Sequence, residues 1–213
     1  MLPAEQEYTP KILSQVEYKA KVRGSSSKLI RSVTQTGDNL YLATSSGKNA
    51  LFSVNEQCVF RYDEAGNIQP IEYNYQLKFP FGKRKQTIIF DWERMKAQAT
   101  YKGKTVELDI EPGYQVDLTM QMQLQQELVK GNTIYDVTVV RKHNTRDYRY
   151  QVSGIETLEL DGTTYRALLT QRLSPRKQVN VWVNPEDNYT MLKTQIQSKK
   201  DPNIEIIYKR RII

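Results

Sequence analysis

The chain has 213 residues, a net charge of +7 and an ordinary share of apolar and charged residues, which excludes a disordered tail. No apolar run is long enough for a transmembrane helix. A single cysteine and a single histidine exclude an intrachain disulfide and a Cys- or His-rich metal site.

The first residues, "MLPAEQEYTP", lack the basic start and apolar stretch of a leader. A cytosolic protein and a mature exported protein separated from its leader both fit. Val16 to Arg23 is a first extended run, and "TGDNLYLATSS" reads as a turn followed by a strand. From Phe52 to Tyr62 one parity carries Phe52, Val54, Cys58, Phe60 and Tyr62, with Glu56 its only polar member. In that pattern Cys58 is expected as a small buried apolar residue. "DEAGNIQP" is a loop. It lacks the alternating oxygen ligands and closing Glu of a calcium site. Next comes the cleanest alternation in the chain: Ile71, Tyr73, Tyr75, Leu77, Phe79 and Phe81 against Glu72, Asn74, Gln76 and Lys78, a half-buried antiparallel strand. Gly82 to Lys85 is expected as a basic turn before "QTIIFDW", and Lys102-Gly103 as the tip of a hairpin.

"QVDLTMQMQLQQELVKG", Gln115 to Gly131, is ambiguous by pattern. Val116, Leu118, Met120, Met122 and Leu124 alternate as on a strand, yet the residue types are helix formers. Asp117 as cap and Gly131 as stop favour a helix. On it, Leu118, Met122 and Val129 form one stripe and Met120, Leu124 and Leu128 another, an arc of roughly half the circumference. Such a helix plugs the concave side of a sheet; alternatively, its Met-rich surface bounds a ligand cavity. Strands then resume, with corners at "KHN", Asp161-Gly162 and Asn184 to Asn188. The count is about ten or eleven strands, at the spacing of an antiparallel meander.

Catalytic signatures are weak. His143 lies in the polar corner "RKHNTR", "RGSSSK" lacks the spacing of a phosphate loop, and no nucleic-acid module motif is present. Asp91, Glu107, Asp109 and Glu111 offer carboxylate pairs for glycan hydrolysis. The basic groups, Lys83-Arg84-Lys85, Arg141-Lys142-His143, Arg172 to Lys177, Lys199-Lys200 and Lys209-Arg210-Arg211, serve solvation and edge protection, or face an anionic partner such as lipid headgroups or nucleic acid.

The stretch "PFGKRKQTIIFDWERMKAQATYKGKTVELDIEPGYQVDLTMQMQLQQELVKG" resembles the exported bacterial proteins grouped as domain of unknown function 3108. The shared features are a Gly-Lys turn, a strand ending in Phe-Asp-Trp, a short hairpin, a Pro-Gly turn and an Asp-led helix ending at Gly. "VNVWVNPEDNYTMLKTQIQSK", "VEYKAKVRG" and "LFSVNEQCVFRYDEAGNIQPIEYNYQLK" also fit, so the resemblance covers nearly the whole chain. It implies that Gln115 to Gly131 is a helix, and that the protein is made with a leader and works in the envelope, in the periplasm. It carries over no activity: Gly82, Asp91, Trp92, Asp117, Trp182 and Pro185 match as pattern positions only.

The expectation is therefore one mainly β domain over residues 1–213: an antiparallel β-barrel or strongly curved half-barrel with one main helix, about 116–130, packed on the concave side. Its expected function is non-catalytic: a periplasmic binding or scaffold protein for a cell-envelope component, either an amphipathic ligand or a partner protein. An envelope enzyme acting on glycan through paired carboxylates is the alternative, and a polyanion-binding protein a weaker one. The ligand-cavity candidates are Met120, Met122, Leu124, Leu128, Trp92 and Trp182. No catalytic residue, metal or cofactor is assigned, and no nucleic-acid partner is expected.

Overall fold

A computed structural model describes residues 8–22, 24–50, 52–174, 177–200 and 202–213. The alternating runs become one sheet: β1 (Lys11–Val22), β2 (Ser25–Gly37), β3 (Leu40–Lys48), β4 (Ser53–Tyr62), β5 (Ile68–Phe79), β6 (Gly82–Asp91), β7 (Lys96–Tyr101) and β8 (Lys104–Asp109). The helix α1 (Asp117–Val129) follows, and then β9 (Ile134–Arg141), β10 (Asn144–Leu160), β11 (Thr163–Ser174), β12 (Lys177–Asn184), β13 (Thr190–Ser198) and β14 (Ile204–Arg211).

All neighbours pair antiparallel, in the order β8 through β1, then β14 through β9. The terminal strands thus meet in the middle of the sheet, with Tyr18 opposite Tyr208 and Ala20 opposite Ile206. The edges, β8 and β9, share no ladder. The segment after β8 lies along β9 instead: Gln115 N–H donates to Thr138 O (2.9 Å) and Val140 N–H donates to Gln115 O (2.8 Å). Further along the seam, Lys142 N–H reaches Gln86 Oε1 (3.2 Å) and His143 Nε2 lies 3.0 Å from Lys104 O. The sheet is a strongly curved, unclosed barrel with α1 inside.

Each strand reverses the last, so the turns alternate between two ends. Those after β1, β3, β5, β7, β9, β11 and β13 gather at one end, the mouth. Both chain termini and the other turns lie at the base. The segment preceding α1 runs parallel to β9, toward the mouth. The helix then returns to the base, where Gln123 accepts from Ile68 N–H (2.8 Å) and Lys130 meets Asn67 (3.3 Å). Its N-terminus therefore points into the mouth half.

The helix divides the core. Leu118 and Val116 pack with Phe60, Ile68, Tyr73, Ile88, Phe90 and Trp92, and Met122 lies partly buried against them. Met120, Leu124 and Leu128 pack with Val137, Val139, Tyr150, Val179, Val181 and Val183. A satellite core of Ala167, Leu169, Trp182 and Leu192 lies on the convex side. Leu169 and Trp182 face each other there, one residue out of phase with inward-facing Thr170 and Val181.

Four expectations need correction. The strand count is higher, because β2 reads as a polar Ser/Thr run. Arg146 to Val152 and the following hairpin arm are one strand, β10, bent at Gly154 (φ 148°) where its pairing with β11 slips. The turn expected at Gly82 to Lys85 falls at Pro80-Phe81, and β6 begins at Gly82. Asp117 does not cap α1. Val116 holds the cap position, its N–H donating to Thr119 Oγ1 (3.2 Å), and Asp117 opens the first turn. Gly131 does end the helix, at φ 85°, with its N–H donating to Leu128 O (3.0 Å).

Candidate functional site

Sheet parity decides what faces the helix. On β4 the inward residues are Phe60, Cys58, Glu56 and Val54; on β5 they are Tyr73, Tyr75 and Leu77. Glu56 is thus placed inside by its apolar neighbours. The Tyr73 hydroxyl donates to its Oε1 (2.6 Å). Desolvation pushes the Glu56 carboxyl above its usual value, and the Tyr73 bond and the Arg31 and Arg141 charges only partly oppose this. Glu56 keeps some solvent contact, as expected of a group deep in an open cup.

The polar face of α1 meets the same space. Asp117 pairs with Arg141 Nε (3.1 Å), and the Asp117 charge raises the Arg141 pKa. One turn on, Gln121 accepts from Arg31 Nη1 (2.7 Å), which also lies 3.5 Å from Met191 Sδ. Arg172, on β11, is buried and holds its guanidinium 3.8 Å from the centre of the Tyr148 ring. Tyr148 in turn interacts with Arg141. Arg31, Arg141 and Arg172 therefore share the cup with Glu56 and Asp117. The excess is one positive charge with both acids ionised, and two with Glu56 neutral. The positive end of the helix dipole adds to it.

Two of these cations are incompletely matched. Arg31 and Arg172 have no carboxylate partner among the described residues, and the Nε of each is enclosed without an acceptor. The Ser27 hydroxyl, also inward-facing and buried, has no partner either. Toward the mouth, inward-facing Val54, Tyr75, Leu77, Ile196 and Ile206 stay only half-buried. These half-buried apolar side chains and the arginines below them define the mouth-side half of the barrel, termed the cup.

The residues expected to line a cavity divide. Met120, Leu124 and Leu128 sit together, but the space bounded by Leu124, Leu128, Ile134, Tyr135 and Tyr150 has no room for a water molecule. The base half of α1 is a packed plug. Met122 and Trp92 lie in the other core cluster, where Trp92 Nε1 donates to Pro70 O (2.6 Å) and the ring stacks on Phe90. Trp182 is on the convex side, donating to Glu156 Oε2 (2.7 Å). The arginines of the cup escaped the sequence reading, since basic residues on strands resemble solvated ones until register fixes their face. Glu56, out of type in an apolar parity, was the available signal.

The carboxylates expected for glycan chemistry separate: Asp91, Glu107 and Asp109 lie in surface ion pairs, and Glu111 lines a groove on the outer side of the barrel. Lys96 pairs with both Asp109 and Glu107, and Asp91 lies near Arg94. That groove, of about 480 Å³ between Gly113-Tyr114 and the outer side of β9–β10, contains Glu111, Asp136 and Asp147; Arg149 engages Asp136 twice (2.7 and 2.8 Å) and holds its pKa down, and Asp147 accepts from Thr138 Oγ1 (2.7 Å).

The family model described as Protein of unknown function (DUF3108) matches residues 17–205. A search of curated proteins found no match. Among solved structures, the chain is similar to a β-barrel-like protein of domain of unknown function DUF1849 from Brucella abortus. The TM-score is 0.58 at 8% identity, covering 93% of this chain and 96% of that one. At that identity the likeness speaks for the fold alone.

Proposed function

The chain belongs to the family Protein of unknown function (DUF3108), and for this member we propose a non-catalytic role: a periplasmic binding protein that holds an amphipathic ligand with an acidic head in the mouth-side cup. The observation that carries this reading is the pair of inward-facing arginines, Arg31 and Arg172, without carboxylate partners among the described residues, beside half-buried Val54, Leu77, Ile196 and Ile206. A buried cation without an anion is costly. An acidic head against the arginines and a chain along the apolar wall satisfy both surfaces at once.

The test is a thermal melt with palmitate, and with a neutral maltoside detergent of similar chain length. Palmitate at about 100 times its dissociation constant stabilises by about 2.7 kcal/mol. The maltoside stabilises less, and Arg172→Gln removes most of the difference. Equal response to both probes, or none to either, overturns the reading. Fractionation of cells expressing the full-length gene tests the compartment: unprocessed protein in the cytosol alone refutes it.

Acid–base chemistry on a glycan is the second reading, favoured by one observation: Glu56, whose carboxyl pKa is raised by desolvation, lies within electrostatic reach of Asp117. Glycan cleavage abolished by Glu56→Gln in a folded protein would replace binding with catalysis.

A further inference from the structure

The two ends of the barrel differ in charge. At the mouth, Lys78, Lys83, Arg84 and Lys85 flank the turn between β5 and β6, and Lys102, Lys104 and Lys142 occupy the turns beside the seam. Lys48, Lys199 and Lys200 belong to further mouth turns. None of these has a carboxylate within ion-pair distance among the described residues. At the base most cations are paired: Arg94 with Asp91, Lys130 with Glu127, Lys209 with Asp161 and Arg211 with Asp187. Among the described residues, cations without a carboxylate partner therefore gather mainly at the mouth.

The same end carries an apolar tip. Pro80 and Phe81 form the two-residue turn between β5 and β6, and Phe81 is 98% exposed, whereas Phe60 and Phe90 are buried. The ring of Phe79 folds back on Gly82, where a Cβ would stand 3.1 Å from it, and Arg84 lies over that ring at 5.8 Å. Phe81 is thus left as the outermost group of the turn, surrounded by unpaired cations.

We propose that the mouth docks on an anionic lipid surface, with Phe81 entering the interface and the surrounding lysines lying against headgroup phosphates. The chemistry of the two groups matches the two layers of such a surface. Aromatic rings settle at headgroup depth, and basic residues are drawn to the negative surface potential. Nucleic acid fits less well: single-strand binders stack bases on several rings along a basic groove, and here one ring stands at a tip. Docking in this pose turns the open cup toward the lipid. The inference rests on the outer rim, not on the ligand reading of the cup.

The experiment is co-sedimentation with vesicles of phosphatidylcholine alone and of phosphatidylcholine with phosphatidylglycerol. Binding is expected only to the anionic vesicles and weakens as salt rises. Phe81→Ala reduces affinity about ten-fold or more, from the loss of a buried ring. Each of Lys83→Gln, Arg84→Gln and Lys85→Gln reduces it about five-fold. A Phe81→Trp variant shifts its emission to the blue on anionic vesicles, and Arg94→Gln, at the base, binds them like the wild type. Equal binding to both vesicle types, no binding to either, or binding indifferent to Phe81 overturns the proposal. So does tight single-stranded DNA binding that survives physiological salt and competes off the vesicles.

Discussion

Replacing Leu124 with alanine tests the packed half of the helix most directly. The side chain is 5% exposed and is enclosed by Met120, Leu128, Val137, Tyr150 and the valines of β12. Removing three buried carbons costs about 2.4 kcal/mol, at about 0.8 per methylene. The adjoining space has no room for water, and its walls come from β9, β10 and β11 as well as α1, so the site relaxes little. A residual cavity of roughly 50 Å³ adds about 1.2 kcal/mol at about 24 cal/mol per Å³. The sum, about 3.6 kcal/mol, corresponds to a melting-point drop of about 7–14 °C in a chain of this size. Urea titration followed by far-ultraviolet circular dichroism measures it as a lower midpoint at unchanged slope. Val129→Ala, on the 53% exposed side of the same helix, is the control and changes stability by less than about 0.5 kcal/mol. A loss below about 1 kcal/mol for Leu124→Ala, with the fold intact, refutes the plug.

Two further outcomes concern titrating groups. Glu56 has a folded-state pKa raised above its unfolded value, so the native state holds its proton more tightly. Stability is lost as pH rises from the unfolded carboxyl value through the raised one. Glu56→Gln should therefore flatten the pH dependence of the urea midpoint on the acid side of neutrality; an unchanged profile would count against a desolvated Glu56. The Cys58 thiol is buried and pushed up by desolvation, so native protein should resist a thiol reagent at pH 8 that labels it at once in urea. Prompt native labelling would place Cys58 outside the core.

Much of the architecture was legible because it follows from local pattern. The alternation of Tyr73, Tyr75 and Leu77 survives as the inward face of β5, and Gly131, with its positive φ, ends α1. Failures came where pattern and position separate. Phe81 continues the parity of β5, but the chain has already turned, so the phase that buries Tyr73 exposes Phe81. Asp117 has the side chain of a cap but stands one residue late, where Arg141 and the helix dipole hold it. The cup was the least legible feature. Arg31, Glu56, Asp117, Arg141 and Arg172 come from five separate elements, and no short-range pattern shows that curvature brings them together.

The pairing of β1 with β14 has a consequence for how the protein is made. Residues 11–109 and 134–211 form two meanders, each built from neighbouring strands, and the β1–β14 ladder, from Val16–Arg211 to Val22–Ile204, joins them. Contacts of such sequence separation are slow to form. Synthesis must also pass residue 211 before the second strand of that junction is complete. Segments near a terminus can usually be removed at little cost unless they are tied into the structure; removing Ile204–Arg211 takes a strand from the middle of the sheet. Loss of β14 would leave two half-sheets, each with a newly exposed edge ready to pair with another molecule, so a prematurely terminated chain is expected to aggregate rather than persist as a smaller version of the barrel.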